Sequence, residues 1–325
     1  MDTRTIFSIS NPEEFDAAAM EVFRHQYREN KIYQQFCDLL DRNPSKVSEP
    51  GQIPYLPIEF FKSAEVLSGS GDAEAVFTSS GTTGALSSKH KVLRLSVYEQ
   101  SFREAFKLFY GDVNNYCVLA LLPSYLERSG SSLVYMVADM IAGSQYPESG
   151  FYLNELDALE QRIQSLEERK IPTLLIGVSF ALLDFIEEHP MQLEHTMVME
   201  TGGMKGRRKE LVREELHRLL KKGFGTDRIH SEYGMTELLS QAYSKGEGRF
   251  YCPPWMRVAA RDPEDPLSWQ ADGRSGGLNI TDLANVDSCS FIATQDLGKI
   301  YQDGSFEVLG RFDHSDIRGC NLMVL

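Results

Sequence analysis

The strongest constraint on the fold is an alternation of short apolar runs with longer amphipathic runs in the middle of the chain. Each of three runs typical of buried strands is followed by a run with helical spacing: "YCVLALL" by "SSLVYMVADMIAG", "PTLLIGV" by "ALLDFIEEH", and "TMVME" by "GRRKELVREELHRLLKKG". A strand followed repeatedly by a helix is typical of α/β proteins, in which helices cover a sheet. We therefore predict an α/β core.

The regions on either side of this pattern differ from it. Residues 11–40 carry apolar positions at helical spacing, such as Phe15, Ala19 and Val22, which predicts a helix. From about Arg249 the sequence is richer in Gly, Pro and Asp, with the strand-like runs "GGLNITDL", "SFIATQDLG" and "SFEVLG". We expect three parts: a helical segment packed on the core (1–50), the α/β core (51–248), and a β-rich subdomain with a C-terminal tail (249–325).

Composition excludes several classes of function. Lys and Arg number 33 against 47 Asp and Glu, a net charge of −14 that repels nucleic acid and anionic membranes. No apolar run approaches the roughly 18 residues of a membrane-spanning helix, and the N-terminus has acids where a secretory signal is apolar. The five cysteines stand far apart without a C-x-x-C pair, which argues against a disulfide framework or a zinc site. We expect a cytoplasmic protein that binds neither nucleic acid nor membrane.

A run of small residues between two strand-like segments is the first candidate site. In "AVFTSSGTTGALSSKHKVLRLS", the residues from Ser79 to Gly84 are no larger than threonine, and Lys89 follows. Glycine lets backbone N–H groups approach a polyanion closely and hydroxyls add donors, so phosphate is the natural ligand. The usual phosphate loop, G-x-x-x-x-G-K-[ST], is absent. The flanks predict a hairpin, and its tip is either a different phosphate loop or a solvated turn.

Three later stretches carry side chains suited to a nucleotide. In "HSEYGMTE", Tyr233 can stack on a base, Thr236 can bond a phosphate oxygen and Glu237 can hold Mg²⁺. "ATQDLG" places Asp296 at a strand end, where a carboxylate can accept both ribose hydroxyls. "GRFD" adds Arg311, a cation able to reach ribose or phosphate.

These stretches, taken in order, resemble the motifs of a known superfamily. The series "TSSGTTG", "TGGMKG", "YGMTE", "GGLNITDL", "TQDLG" and "GRFDHSDIRG" spans residues 78–319 and is similar to the core motifs of adenylate-forming acyl, aryl and luciferin ligases. With "IPYLPIEFFKS" and "SSKH", the chain most resembles the acyl-protein synthetase component of bacterial luminescence fatty acid reductases; phenylacetate-CoA ligases are the next most similar. The resemblance implies the N-terminal core of an adenylate-forming ligase, with stacked sheets flanked by helices and a small β subdomain.

The resemblance also implies roles for individual residues, with ATP and Mg²⁺ as cofactors. Thr236 would contact the α-phosphate and Glu237 the metal, while Asp296 would take the ribose hydroxyls with help from Arg311. Lys89 is either a charge near the phosphates or a solvated hairpin lysine. The loop that would hold the β- and γ-phosphates is Ser79, Ser80, Gly81, Thr82, Thr83 and Gly84, and the residues that would line the adenine are Gly202, Gly203 and Tyr233.

The last residues of the sequence bear on the second half-reaction. Adenylating ligases continue beyond the GRxD motif into a small mobile domain, whereas this sequence stops at Leu325, so we expect the core without that domain. In the luminescence synthetases a C-terminal cysteine accepts the acyl group, and Cys320 stands in a similar setting. A protonated His314 would lower the pKa of that thiol, because a cation favours the thiolate.

The leading hypothesis is therefore an acyl-protein synthetase. It would activate a carboxylic acid, which the resemblance implies is a fatty acid, as an acyl adenylate, load the acyl group on Cys320 and pass it to a partner reductase or carrier protein. A short ligase that makes acyl- or aryl-CoA directly is a second hypothesis. A regulatory subunit that binds nucleotide without turnover is a third. The sequence leaves the acyl chain and the identity of the partner open.

Overall fold

A computed structural model describes residues 3–79, 87–123, 130–153, 155–202 and 211–312. Within these ranges the helices are α1 (Pro12–Glu29), α2 (Lys31–Leu39), α3 (Phe60–Ser63), α4 (Leu95–Tyr110), α5 (Ser132–Gly143), α6 (Leu156–Glu168), α7 (Ser179–Glu188) and α8 (Arg213–Phe224). The strands are β1 (Leu56–Pro57), β2 (Ala75–Thr78), β3 (Lys89–Val92), β4 (Cys117–Leu121), β5 (Gly150–Tyr152), β6 (Thr173–Val178), β7 (Thr196–Thr201), β8 (His230–Tyr233), β9 (Ala242–Ser244), β10 (Met256–Arg261), β11 (Ser275–Asp282), β12 (Phe291–Ile300) and β13 (Phe306–Arg311). The three predicted strand-and-helix pairs are confirmed as β4 with α5, β6 with α7, and β7 with α8.

A six-stranded sheet carries the strand-and-helix pairs. Its order is β5-β4-β6-β7-β8-β9, with β9 antiparallel and the other strands parallel. Strands β4 and β6 are buried at every position, which explains their continuous apolar sequences because helices cover both faces of such a sheet. The carboxyl ends of β7 and β8 lie side by side, with Thr201 opposite Glu232. Ligands of open α/β sheets bind at the carboxyl ends of the strands, so this edge is the expected position of a site.

A second sheet is built mainly from the last part of the chain. Its order is β1-β12-β11-β10, and β13 pairs with the other half of β12. All pairs are antiparallel except β1 with β12, so a short segment that precedes the hairpin completes a sheet of late strands. The predicted strand-like runs are confirmed as β11, β12 and β13.

Strands β2 and β3 form the predicted hairpin, with Thr78 opposite Lys89. The N–H of Thr78 donates to Gly130 O at 2.8 Å, which ties the hairpin to the segment before α5. Gly130 has φ +84°, and a Cβ there would lie 3.0 Å from Val76 O, so glycine is needed for this close approach. The tip of the hairpin, residues 80–86, lies outside the described residues.

The helical character predicted for residues 11–40 is confirmed, but Asn30 divides the segment into two helices, α1 and α2. The Asn30 side chain is fully buried, and its Oδ1 accepts the N–H of Tyr33 at 3.0 Å, which caps the start of α2. Its Nδ2 donates to Ser288 O at 3.0 Å, next to the second sheet. A short amide side chain that bonds the nearby backbone competes with helix hydrogen bonds, which accounts for the break.

The two N-terminal helices pack against the second sheet. The ring of Tyr33 stacks on Phe291 of β12 with centroids 6.1 Å apart, and Phe23 meets the same ring edge-on at 6.4 Å. The Nε2 atom of Gln26 donates to the carbonyl oxygens of Asn285 and Val286, both at 3.0 Å. In the part of the chain that the structure describes, no helix combines the length and the apolar character that crossing a bilayer requires.

Candidate active site

Tyr233 connects the two sheets at the carboxyl end of β8. Its hydroxyl donates to Asp296 Oδ2 on β12 at 2.7 Å. Its ring packs edge-on against Phe250 and Phe306, with centroids 5.8 and 5.5 Å away. Burial, followed by the neighbouring Asp296 carboxylate, raises the pKa of the phenol far above its usual value, so the hydroxyl stays a donor. Two predicted site residues that are distant in sequence are thereby brought into direct contact.

Asp296 and Arg311 form a cross-strand pair on β12 and β13. They are register partners, and Arg311 Nε lies 3.4 Å from Asp296 Oδ1. The Asp296 side chain is 11% exposed, and burial raises its pKa, against the opposing effects of the Tyr233 hydrogen bond, Arg311 and Arg261. The Arg311 side chain is 70% exposed. A buried acid with an exposed cation beside it suits a sugar hydroxyl pair that enters from solvent.

Glu237 lies at the base of the hairpin. Its carboxylate lies beside the Ser88 side chain, and burial raises its pKa despite that polar neighbour and the charges of Arg311 and Lys62. The N–H of Ser88 donates to Ser79 Oγ at 2.9 Å, and the N–H of Ser79 donates to Ser88 O at 3.1 Å. The "YGMTE" turn and the last described residues before the small-residue run are therefore adjacent.

The turn that follows β8 is held by buried residues that the sequence analysis did not single out. Asp282 Oδ2 accepts the N–H groups of Leu239 and Ser240 at 2.7 and 2.9 Å, and its Oδ1 accepts the Ser240 hydroxyl at 2.6 Å. Asn285 Nδ2 donates to Glu237 O at 2.8 Å.

Both anchors of this turn follow or end β11, in the stretch "TDLAN". A sequence signal was present for Asn285, because this polar residue is flanked by the apolar Ala284 and Val286.

His90 is a third anchor of the same turn. It is 1% exposed on β3, and its Nδ1 lies 2.8 Å from Thr236 O while its Nε2 lies 3.0 Å from Asn285 Oδ1. In "KHK" it alternates with two lysines, which predicts an inward-facing side chain.

The ends of β7 and β8 contain a second buried carboxylate, Glu232, that sequence reasoning also missed. Its Oε2 accepts the Thr201 hydroxyl at 2.5 Å, and its Oε1 lies 2.5 Å from where a Cβ of residue 234 would stand, so Gly234 admits this side chain. Burial, together with the charge of nearby Glu200, raises its pKa to about 7. Gly202 follows Thr201 with φ +66°, and its carbonyl accepts the Ser179 hydroxyl at 3.1 Å.

Other predicted residues are less constrained by the structure. Lys89 is exposed at the first position of β3, and the nearby Lys91 pairs with Glu65 at 2.8 Å. The remaining predicted residues lie outside the described part of the chain: Ser80, Gly81, Thr82, Thr83, Gly84, Gly203, His314 and Cys320.

The four described cysteines have thiols of low reactivity. Burial raises the pKa of Cys37 to about 12, and it also raises the pKa values of Cys117, Cys252 and Cys289. All four are free thiols. A thiol held in its protonated form is a poor nucleophile, so these cysteines are suited to packing rather than to catalysis.

Glu237 fits a magnesium ion that is shared with a substrate. Within the described ranges, no group of three or more His, Cys, Asp or Glu side chains is arranged to hold a metal on its own. Magnesium is usually bound through one or two carboxylates plus substrate phosphates, without an all-protein cage. A single carboxylate at the base of the hairpin is such a donor set.

The fold belongs to the class of adenylate-forming ligases. ATP-bound MatB from Rhodopseudomonas palustris matches with a TM-score of 0.54 and 20% identity, over 75% of this chain and 49% of that chain. A 2-hydroxyisobutyryl-CoA ligase in complex with 2-HIB-AMP and CoA matches with a TM-score of 0.67 and 12% identity, over 94% and 77% of the two chains. The same ligase in its thioesterification state gives 0.67 and 14%, over 94% and 70%. The chain thus spans about half the length of MatB, at 49%.

The sequence defines the family within this class. Residues 7–325 match the family described as acyl-protein synthetase, LuxE, so the chain belongs to that family. A comparison with curated proteins finds no match. The resemblance drawn from the ordered motifs is confirmed, and so is the predicted α/β ligase core.

Proposed function

We propose that this chain activates a carboxylic acid with ATP, transfers the acyl group to Cys320 and passes it to a partner protein. One observation carries the proposal: the Ser88 side chain of the hairpin lies beside the Glu237 carboxylate, while the Tyr233 hydroxyl at the start of the same turn donates to Asp296. Three distant motifs therefore converge on one edge of the sheet. Membership of the acyl-protein synthetase family supports the same activity.

The nucleotide would lie along this edge. Asp296 would accept the ribose hydroxyls, with the exposed Arg311 beside it. The adenine would lie near Gly202, Gly203 and the Tyr233 ring, and the phosphates near the loop from Ser79 to Gly84, with Lys89 at its base. The motif order and the described contacts of Tyr233, Asp296 and Ser79 support this orientation.

The first half-reaction forms an acyl adenylate. A carboxylate oxygen of the substrate attacks the α-phosphorus of ATP, the bond from that phosphorus to the bridging oxygen breaks, and pyrophosphate leaves with its electron pair. Thr236 would donate to an α-phosphate oxygen, and Glu237 would hold Mg²⁺. When bound, the metal neutralises charge on the phosphate oxygens. Thr236 and the Glu237 carboxylate would already be in position before the reaction, which lowers the free energy needed to reorganise charges in the transition state.

The second half-reaction is thioester formation. The Cys320 thiolate would attack the acyl carbon, the bond to the phosphate oxygen would break, and AMP would leave. A protonated His314 would favour the thiolate. The raised pKa values of the four described cysteines support Cys320 by contrast. A thiol of the partner would then take the acyl group by thioester exchange. We also infer that the protein works in the cytoplasm, in line with its free thiols.

Carboxylate-dependent exchange of labelled pyrophosphate into ATP tests the first half-reaction. We expect exchange with a fatty acid, and a loss of roughly 10² to 10³ in rate for Glu237→Gln, because a weakened metal site costs a few kcal/mol. Exchange at the wild-type rate in Glu237→Gln would contradict the metal assignment. A screen over carboxylic acids identifies the acyl class, and absence of exchange with every acid would favour a regulatory nucleotide-binding subunit.

Mass spectrometry tests the second half-reaction. ATP, Mg²⁺ and the acid should yield a hydroxylamine-sensitive adduct on Cys320. Cys320→Ala should abolish the adduct and keep pyrophosphate exchange, because adenylation precedes attack by the thiol. Cys117→Ala is the matched control and should keep both. An adduct on another cysteine would contradict the assignment of Cys320, and efficient acyl-CoA formation by Cys320→Ala would indicate a direct CoA ligase.

A further inference from the structure

We propose that His90 is a positioning residue that fixes the main chain of Thr236 and Glu237 against the hairpin. His90 lies on β3, directly beyond the small-residue run, and it is 1% exposed. Its imidazole contacts the turn after β8 and Asn285, both far away in sequence. The test below has two parts. The measurement of pyrophosphate exchange rests on the proposed function, whereas the measurement of amide hydrogen exchange does not.

The hydrogen-bond geometry assigns a role to each group around His90. Asn285 Nδ2 faces two carbonyl oxygens, those of Glu237 at 2.8 Å and Cys289 at 2.9 Å, so it is the Oδ1 atom that faces His90. Both imidazole nitrogens therefore meet oxygen acceptors. The ring is neutral at pH 7, since burial lowers its pKa to about 4, and a neutral ring has one N–H. We assign that N–H to Nδ1, as a donor to Thr236 O at 2.8 Å, so that Nε2 lies 3.0 Å from Asn285 Oδ1 without a hydrogen bond.

The result is a turn fixed to the hairpin at two points. One is the His90 hydrogen bond to Thr236 O, and the other is the contact of the Ser88 side chain with the Glu237 carboxylate. Asn285 holds the next carbonyl, that of Glu237, from the same side. His90 thereby sets the distance between the hairpin and the turn, the two segments that the proposed function places near the phosphates of ATP. It acts through Thr236 and Glu237 and needs no contact with the substrate.

The chemistry of the site is sensitive to such positioning. A displacement of about 1 Å in a catalytic group can cost roughly 10²-fold in rate, because the reacting atoms leave the near-attack geometry. Loss of the His90 donor also leaves a half-buried carbonyl, Thr236 O, without this partner. We therefore expect turnover to suffer more than the affinity for ATP.

Two substitutions separate positioning from packing. His90→Leu fills the space without a donor, whereas His90→Asn places an amide N–H at the position of Nδ1. We expect His90→Leu to lower kcat of pyrophosphate exchange about 10- to 100-fold with KM for ATP changed less than about threefold, and His90→Asn to recover most of that loss. A buried Leu is at least as favourable as a buried Asn for stability, so a role in packing alone predicts the opposite order of activities.

Amide hydrogen exchange supplies the arm that needs no turnover. The N–H groups of Leu239 and Ser240 report on the turn, because both donate to Asp282. Their exchange should accelerate at least about tenfold in His90→Leu and should be restored in His90→Asn. His189→Leu is the matched control, since His189 is also buried but bonds Glu160 at 2.9 Å, away from the turn.

Each outcome decides the proposal. Faster amide exchange with a selective loss of kcat, both reversed by Asn, supports it. Unchanged amide exchange in His90→Leu, or equal loss of kcat in the Leu and Asn variants, would overturn it. If none of the acids tested supports pyrophosphate exchange by the wild-type protein, the proposed function fails. Amide hydrogen exchange alone then decides whether His90 holds the turn.

Discussion

Replacing Glu232 by glutamine should stabilise the protein at pH 8 and have a much smaller effect at pH 5. The Glu232 side chain is 7% exposed between β7 and β8, where its Oε2 accepts the Thr201 hydroxyl at 2.5 Å. A glutamine oxygen can accept the same bond. What the substitution removes is a carboxylate whose ionisation is unfavourable in the folded protein.

The direction of the pH effect follows from the pKa. Burial, with the charge of Glu200 adding to it, raises the pKa of Glu232 from its usual 4.5 to about 7. The folded-state pKa lies above the unfolded one, so the folded protein keeps a proton that the unfolded chain has released. Stability from this group is therefore present below about pH 4.5 and is lost as pH rises through 7. The full cost above pH 7 is about 3 kcal/mol, at roughly 1.4 kcal/mol for each pKa unit.

Guanidinium unfolding of wild type and Glu232→Gln at pH 5 and pH 8 measures this effect. The difference in unfolding free energy should move by about 2 to 3 kcal/mol in favour of the variant over that range.

Glu200→Gln is the matched control, because Glu200 is equally buried in the neighbouring strand but carries an ion pair with Arg213. Burial opposes its ionisation, but Arg213, His217 and Ser231 outweigh burial and lower its pKa. That variant should be destabilised by a similar amount at both pH values. Parallel pH dependence in wild type and Glu232→Gln would refute the assignment of a raised pKa.

Two further predictions follow from the described contacts. Asp296→Ala should weaken ATP binding and leave kcat for pyrophosphate exchange within a few-fold, since a ribose contact is made in the ground and transition states alike; a change confined to kcat would contradict it. When the pH is lowered from 7 to 5, the unfolding free energy of His230→Phe should fall by about 1 kcal/mol less than that of the wild type. Burial, then Lys245, Arg228 and His217, lower the pKa of His230 to about 4, so its contribution is complete above the unfolded value of 6.5 and lost as pH falls towards 4. The same change in unfolding free energy from pH 7 to pH 5 in wild type and in His230→Phe would count against this prediction.

Local patterns in the sequence were sufficient for much of the fold. The strand-and-helix alternation, the hairpin and the three late strands depend on hydrophobic period and turn residues, which neighbouring positions determine. The break at Asn30 was missed because it depends on Ser288, which the chain brings to Asn30 only in the folded state. Glu232 was missed for a similar reason: its raised pKa depends on burial and on Glu200 in another strand.

In the candidate site, too, the contacts between distant segments could not be predicted from local sequence. These contacts also show how the site relates to the predicted division of the chain. The motif residues of the turn after β8 were found from sequence, but the groups that hold this turn come from β3 and from the end of β11, through His90, Asp282 and Asn285. A buried polar side chain is hydrogen-bonded, but the sequence around it does not name the partner, which the fold brings close from a distant segment. Because Asp282 and Asn285 lie beyond residue 248 and Glu237 before it, the predicted boundary between core and subdomain runs through the site. Substitutions beyond residue 248 that destabilise the second sheet should therefore disturb the turn that carries Glu237, even though residues 51–248 are unchanged.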